Sequence, residues 1–302
     1  MSGILEDFKD AFAKRNNGLV QLIWLNIAVY VLMLMCLIIF RMSDQELLFD
    51  KALRYISLTP ELPIFVYRPW TILTYSFVHA VNPIAHLLPN MLMLYWFGTI
   101  IQEFIGSRRL INLYLLGAFS GGLLAILIYN FVPYFSTNVQ NVTIIGASGS
   151  VMAIVFAAAT LVPDYTFFLF LLGPVRIKYI AFFFFLISLA GVTGLNAGGG
   201  IVHLGGALLG FLYIKQLQAG RDLGTPIDQT IDFINGLFRK KEKPQIKVVY
   251  RQKESSYSGN SSTNSYPDED EVDEILDKIS KSGYESLTKE EKQKLFKASQ
   301  KQ

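Results

Sequence analysis

A run of 22 residues without a charge, LVQLIWLNIAVYVLMLMCLIIF at 19–40, constrains the fold of this chain more than any other feature. A bilayer core of about 30 Å takes roughly 20 apolar residues in helical form, so the run predicts a transmembrane span. It is too long for a signal-peptide core and no small-residue cleavage site follows it, which makes it a retained anchor. Five more runs predict spans: 84–101, 110–133, 147–161, 175–190 and 201–217. Charge is segregated accordingly. Only 21 of the 51 charged side chains precede residue 218, and the other 30 crowd into the last 85 residues, so an apolar body carries a solvated tail. The expected fold class is therefore an all-α membrane protein with six spans. A net charge of +3, without a basic, aromatic-interleaved strip in the body, argues against nucleic-acid partners. Cys36, the single cysteine, excludes an intrachain disulfide and a cysteine-based metal site.

Lysine and arginine placement orients the spans. Lys9, Lys14 and Arg15 precede the first, and Arg108 and Arg109 lie between the second and third. Arg176 and Lys178 open the fifth, and Lys215 and Arg221 close the sixth. Connections 134–146 and 191–200 carry no charge. Both termini are expected in the cytoplasm. Spans two, four and six then start on the outer side, which brings His86, Asn90, Ser148 and His203 to one depth, although only Lys and Arg entered the topology.

Polar groups in membrane helices usually face a bundle interior or a wet cavity. Ser148 and His203 are the ingredients of a nucleophile and its general base. Gly146 and Gly149 leave room for a substrate backbone. The Ser148 N–H at a helix N-terminus favours developing negative charge, and His86 and Asn90, one turn apart on one face, are suited to donate to the same oxyanion. No nearby acid stands ready to orient His203, so the expectation is a Ser148–His203 dyad. The short fourth span, about 22 Å at 1.5 Å per residue, implies that YFSTNVQNVTIIG before it dips inward. Close packing is the competing account of the small residues, and both apply: Gly149, Ala153 and Ala157 form one stripe, Gly206 and Gly210 another. Pro89 cannot donate to the Ala85 carbonyl, so a kink before Asn90 is expected.

GASG at 146–149, HLGGALLG at 203–210 and H-x-x-x-N at 86–90, with RPWTILTYSFVH at 68–79 and E-x-x-G-S-R at 103–108, resemble the rhomboid intramembrane serine proteases. The similarity covers about 19–217. It implies the six-helix rhomboid bundle with 41–83 as a partly embedded loop, cleavage of transmembrane protein substrates by Ser148 with His203 as base, an oxyanion held by His86, Asn90 and the Ser148 N–H, and no metal or organic cofactor. Met152 departs from the family's frequent aromatic residue against the histidine ring. His79 and His86 stand seven apart, wider than the family's pair, so His79 is left out of the expected site. Arg68 and Glu103 fit family positions and read as solvated charges.

In the tail, Thr225-Pro226 marks a helix start, and Ile227, Ile231, Ile234 and Phe238 follow at helical spacing before Arg239-Lys240-Lys241. This helix lies on the anionic leaflet or serves as a plain linker. Residues 252–267 are polar and read as a flexible linker. Val272, Ile275, Leu276 and Ile279 form an apolar stripe, and Thr288 with Glu291 forms a capping-box pattern before a helix ending near Phe296. This pair is similar to a short tail on some bacterial rhomboids. The expected division is 1–18 cytoplasmic segment, 19–217 protease domain, 218–267 juxtamembrane helix and linker, and 268–302 small helical segment. The tail docks a partner, associates with a second copy, or does neither. Besides the lipid bilayer, the expected partners are transmembrane substrates, and the expected location is a bacterial inner membrane with the site toward the outer face. An inactive rhomboid-like chaperone or adaptor is the alternative. A transporter would show internal repeats, and none relates the two halves.

Overall fold

The computed structural model describes residues 17–81, 84–137, 139–169, 173–194, 196–238 and 269–299. The N-terminal basic residues Lys9, Lys14 and Arg15, the Arg239–Lys241 cluster and the 252–267 linker lie outside the described residues. Two compact units divide between Lys240 and Lys241, inside the expected 218–267 segment.

The apolar runs form helices: α1 (Gly18–Met42), a loop helix α2 (Glu46–Ile56), α3 (Leu87–Ile105), α4 (Ser107–Phe131), α5 (Ser148–Leu161), α6 (Ile177–Gly191) and α7 (Ala197–Gln218). Among the described residues, α3, with the 3-10 turn Ile84–His86 before it, joins α1, α4 and α7 as the four helices long and apolar enough to cross a membrane, whereas α5 and α6 are shorter. Burial separates the roles. The apolar window of α1 is 22% buried and that of α7 is 56% buried, so α1 is peripheral and α7 central. Helix α5 is more enclosed still, with nine of its 14 residues buried. An antiparallel hairpin of β1 (Thr166–Leu169) and β2 (Gly173–Arg176) joins α5 to α6. Its sequence, TFFLFLLGPV, has no polar alternation that would have separated it from a helical run.

The centre is a backbone contact between two helices. A Cβ on Gly206 would overlap the Gly149 carbonyl, and one on Gly210 would overlap that of Ala153. Small residues at these positions are what let α5 and α7 approach so closely, since lipid supplies no hydrophobic force between helices. On the adjoining face of α7, a Cβ on Gly205 would stand 2.8 Å from the Gly121 Cα of α4.

Polar clamps close the ends. The first N–H groups of α1 lack intrahelical acceptors; Gly18 N donates to Ser107 Oγ at 3.1 Å and Leu19 N to Gln102 Oε1 at 3.0 Å. At the same turn, Asp222 accepts from Arg109 Nε at 2.8 Å, Tyr213 OH at 2.9 Å and Gly224 N at 2.8 Å. This ties the α3–α4 turn to the chain entering α8 (Thr225–Phe238). Burial alone would raise the Asp222 pKa, but these donors outweigh it and hold the carboxyl below its ordinary range. Arg68 lies over the Tyr55 ring at 3.9 Å, within the 41–81 loop. A 3-10 turn, Ile84–His86, precedes α3, which starts at Leu87, so Pro89 sits in the first α-helical turn, where its missing N–H has no intrahelical partner.

The second unit contains α9 (Glu269–Ser282) and α10 (Lys289–Ser299). Thr288 N donates to Glu291 Oε2 at 2.7 Å and Glu291 N to Thr288 Oγ1 at 3.3 Å, the reciprocal pattern of a capping box. Lys278 on α9 reaches Glu291 at 2.8 Å.

Two outcomes are expected. Gly210→Val should destabilise the protein by about 1–3 kcal/mol through overpacking, read as a lower thermal midpoint in detergent; an unchanged midpoint contradicts the backbone contact. Asp222→Asn should lower the midpoint at neutral pH. Because the folded-state pKa is depressed, the contribution of Asp222 is present above the unfolded value of 3.8 and is lost as pH falls through the folded one. The midpoints of variant and wild type should therefore converge in acid, and a pH-independent gap contradicts the charge pairing.

Candidate functional site

Ser148 is the first residue of α5, and its placement depends on the strand-like segment before it. Ile144 and Leu58 form an antiparallel bridge, with N–H to O distances of 2.8 and 3.0 Å. Gly146 then donates to the Tyr75 carbonyl at 3.0 Å and turns the chain at φ +119°, a value that favours glycine. Ala147 N donates to His79 Nε2 at 3.3 Å. Tyr75 is itself anchored by its hydroxyl, which donates to the Ala118 carbonyl at 2.8 Å. The loop 41–81 thus holds the serine segment from beneath. His203 lies in the second turn of α7, whose start is capped by Asn196 Oδ1 accepting from Gly199 N at 3.2 Å.

A cavity of about 550 Å³ opens here, and His86, Asn90, Ser148 and His203 all line it, together with Met152 and Ser188. Ser148 and His203 share the cavity, and no direct hydrogen bond joins them. Gly146 adjoins both serine and histidine. The point a Cβ would occupy there is 2.8 Å from His86 Nε2 and 3.8 Å from Ser148 Oγ. Gly149 and Gly206 lie just below, at the helix contact. A second, apolar cavity of about 390 Å³ between α3, α6 and the hairpin is lined by Trp96, Phe97, Phe167 and Phe183, and it shares Met93 and Phe184 with the first.

Hydrogen bonding assigns the ring nitrogens. His86 Nδ1 accepts from Ala80 N at 3.2 Å, so a neutral His86 carries its proton on Nε2, the nitrogen beside Gly146. Asn90 Nδ2 donates one hydrogen to the His86 carbonyl at 2.8 Å and keeps a second to give. His79, buried at 1% exposure, uses Nε2 for Ala147 and packs edge-on to His86 at 5.4 Å between ring centroids. His79 therefore supports the serine segment and the His86 ring, a role hidden by its wide spacing from His86 in sequence. No aromatic ring occupies position 152; Met152 is buried against the cavity. His203 Nδ1 instead meets Ser188 Oγ at 3.2 Å. Ser188 escaped notice because a lone serine in AFFFFLISLA carries no spacing signal.

Residues 67–218, half of the 302-residue chain, match the Rhomboid domain family. The chain belongs to the rhomboid family. Residues 263–301 match a family of unknown function, DUF6576. Among similar proteins, RHOMBOID-like protein 12, mitochondrial, of Arabidopsis thaliana is 30% identical over 163 residues, covering 51% of this chain and 48% of its own length. Presenilin-associated rhomboid-like protein A, mitochondrial, of Danio rerio is 32% identical over 149 residues, covering 46% of this chain and 35% of its own. The chain thus spans less than half of either relative. It is a rhomboid-family membrane protein.

Proposed function

We propose that this rhomboid is an intramembrane serine protease that hydrolyses peptide bonds in or near transmembrane segments of membrane proteins. The observation that carries the reading is the shared cavity, where three separate helices contribute a serine, a histidine and two donor side chains. In the reaction, Ser148 Oγ attacks the scissile carbonyl carbon while His203 takes the hydroxyl proton. The carbonyl oxygen becomes an oxyanion facing His86 Nε2–H, Asn90 Nδ2–H and the Ser148 N–H, which lacks an intrahelical acceptor. His203 then protonates the leaving amine as the C–N bond breaks, and an acyl-enzyme forms. Water attacks the ester with His203 again as base, and the proton returns to Ser148 as the acid product leaves. The adjoining apolar cavity between α3 and α6 suits the flank of a hydrophobic substrate helix.

The reading takes all six apolar helices as spans, with the short α5 reached from an inward-dipping segment. Both termini lie on the side rich in lysine and arginine, and the site opens toward the other face. It keeps 19–217 as the protease domain, with 218–267 and 268–302 as appended segments. The bacterial inner membrane expected from the sequence draws no support from relatives named mitochondrial, so the location is carried no further than a multi-pass membrane protein. A second reading, an inactive adaptor that binds membrane helices, rests on those same names, which state likeness to rhomboids and no activity.

In proteoliposomes with a fluorogenic transmembrane substrate, Ser148→Ala should lower kcat by at least about 10³-fold while the thermal midpoint stays unchanged. Equal turnover by wild type and variant refutes the dyad, and a wild type that binds the substrate helix without cutting it favours the adaptor.

A further inference from the structure

Helix α6 buries little of itself: only Ile177, Ala181 and Ser188 are buried among its 15 residues. Two of these are apolar; Ser188 is a hydroxyl at 3% exposure. Such a group needs partners, and it has two. Its Oγ lies 2.7 Å from the Phe184 carbonyl one turn back, and 3.2 Å from His203 Nδ1 on the neighbouring helix. The helices meet closely at this point. A Cβ on Gly200, one turn before His203, would stand 2.8 Å from the Ser188 carbonyl.

We propose that Ser188 is a positioning residue, holding the His203 ring with its proton on Nδ1 and leaving Nε2 bare to receive the proton of Ser148. A serine hydroxyl has one hydrogen, and a carbonyl oxygen only accepts. The shorter contact, to Phe184, therefore takes that hydrogen, a common back-bond of serine in helices. Ser188 Oγ is left to accept, so the Nδ1–H of His203 donates to it. In a neutral imidazole the other nitrogen then carries the lone pair. When Nε2 takes up the serine proton, the ring becomes cationic. The chain Nδ1–H to Oγ–H to the Phe184 carbonyl polarises in the direction that favours that charge. A carboxylate does this work in a serine–histidine–aspartate triad; here a neutral hydroxyl tethered to backbone stands in its place. Ser188 is buried and acts through the ring. The catalytic consequence rests on the proteolytic reading above, whereas the tautomer follows from the hydrogen bonds alone.

The test uses the full chain, labelled with ¹⁵N-histidine, in detergent micelles and in proteoliposomes. Only three histidines are present, so His203→Gln assigns the His203 signals by their loss. Nitrogen shifts of the wild type should show the proton on Nδ1 of His203. Ser188→Ala should move His203 toward the Nε2–H form and lower kcat by about 3- to 10-fold, the range of one net neutral hydrogen bond, with KM unchanged. Ser188→Thr, which keeps the hydroxyl, should restore both tautomer and kcat. A wild-type ring protonated on Nε2 overturns the proposal, and this measurement decides it even if Ser188→Ala fails to fold. So does Ser188→Ala with an unchanged tautomer, whatever its kcat, since a purely structural loss would look like that. A wild type without turnover refutes the proteolytic reading and the catalytic role with it, while the nitrogen shifts still decide the tether.

Discussion

Everything at the site depends on two helix backbones touching without side chains between them. Gly149 and Ala153 of α5 present carbonyls where Gly206 and Gly210 of α7 have no Cβ to obstruct them. Residues three or four apart share a helix face. His203, three residues before Gly206, lies on the interlocking side of α7, and Ser148 starts α5 directly ahead of Gly149, so the contact between the stripes brings both to one cavity. Packing and chemistry are not rival explanations of these glycines. The close approach is the means by which two polar side chains on separate helices share one cavity.

That cavity imposes a second requirement. Histidine, asparagine and serine side chains inside an apolar bundle are costly unless hydrogen-bonded, and each hydrogen bond also assigns a role. One nitrogen of His86 is occupied by Ala80 N–H, one nitrogen of His79 by Ala147 N–H, and one nitrogen of His203 meets Ser188. Each ring is thereby oriented by a neighbouring backbone or hydroxyl group. The 41–81 loop belongs to the same design, since Leu58 and Tyr75 hold the chain that delivers Ser148. An accessory loop in sequence is a structural floor in three dimensions.

Much of the fold is legible in the sequence. The apolar runs announce their helices because spans must satisfy their backbone internally, and the charge pattern groups His86, Asn90, Ser148 and His203, which line one cavity. The small-residue stripes carried a helical period. What stayed hidden were contacts between elements whose partners leave no periodic trace. Ser188 looks like a tolerated serine in a phenylalanine-rich helix, and Asp222 like one more charge at a tail boundary. The spacing of His79 from His86 hides its contact with the Ala147 N–H. The apolar run from 84 does not show that its α-helical part begins only at Leu87, which puts Pro89 in a first turn. The hairpin of Thr166–Leu169 and Gly173–Arg176 is invisible because its only polar side chains, Thr166 and Arg176, stand at its open end and give no alternation.

The central claim is that Ser148 is a nucleophile activated by His203, and covalent trapping tests it most directly. Full-length protein in detergent is treated with a fluorophosphonate, digested, and mapped by mass spectrometry. The account predicts the adduct on Ser148 alone, with its formation lost in His203→Ala. No adduct at Ser148, or one that forms equally fast without the imidazole, would contradict it.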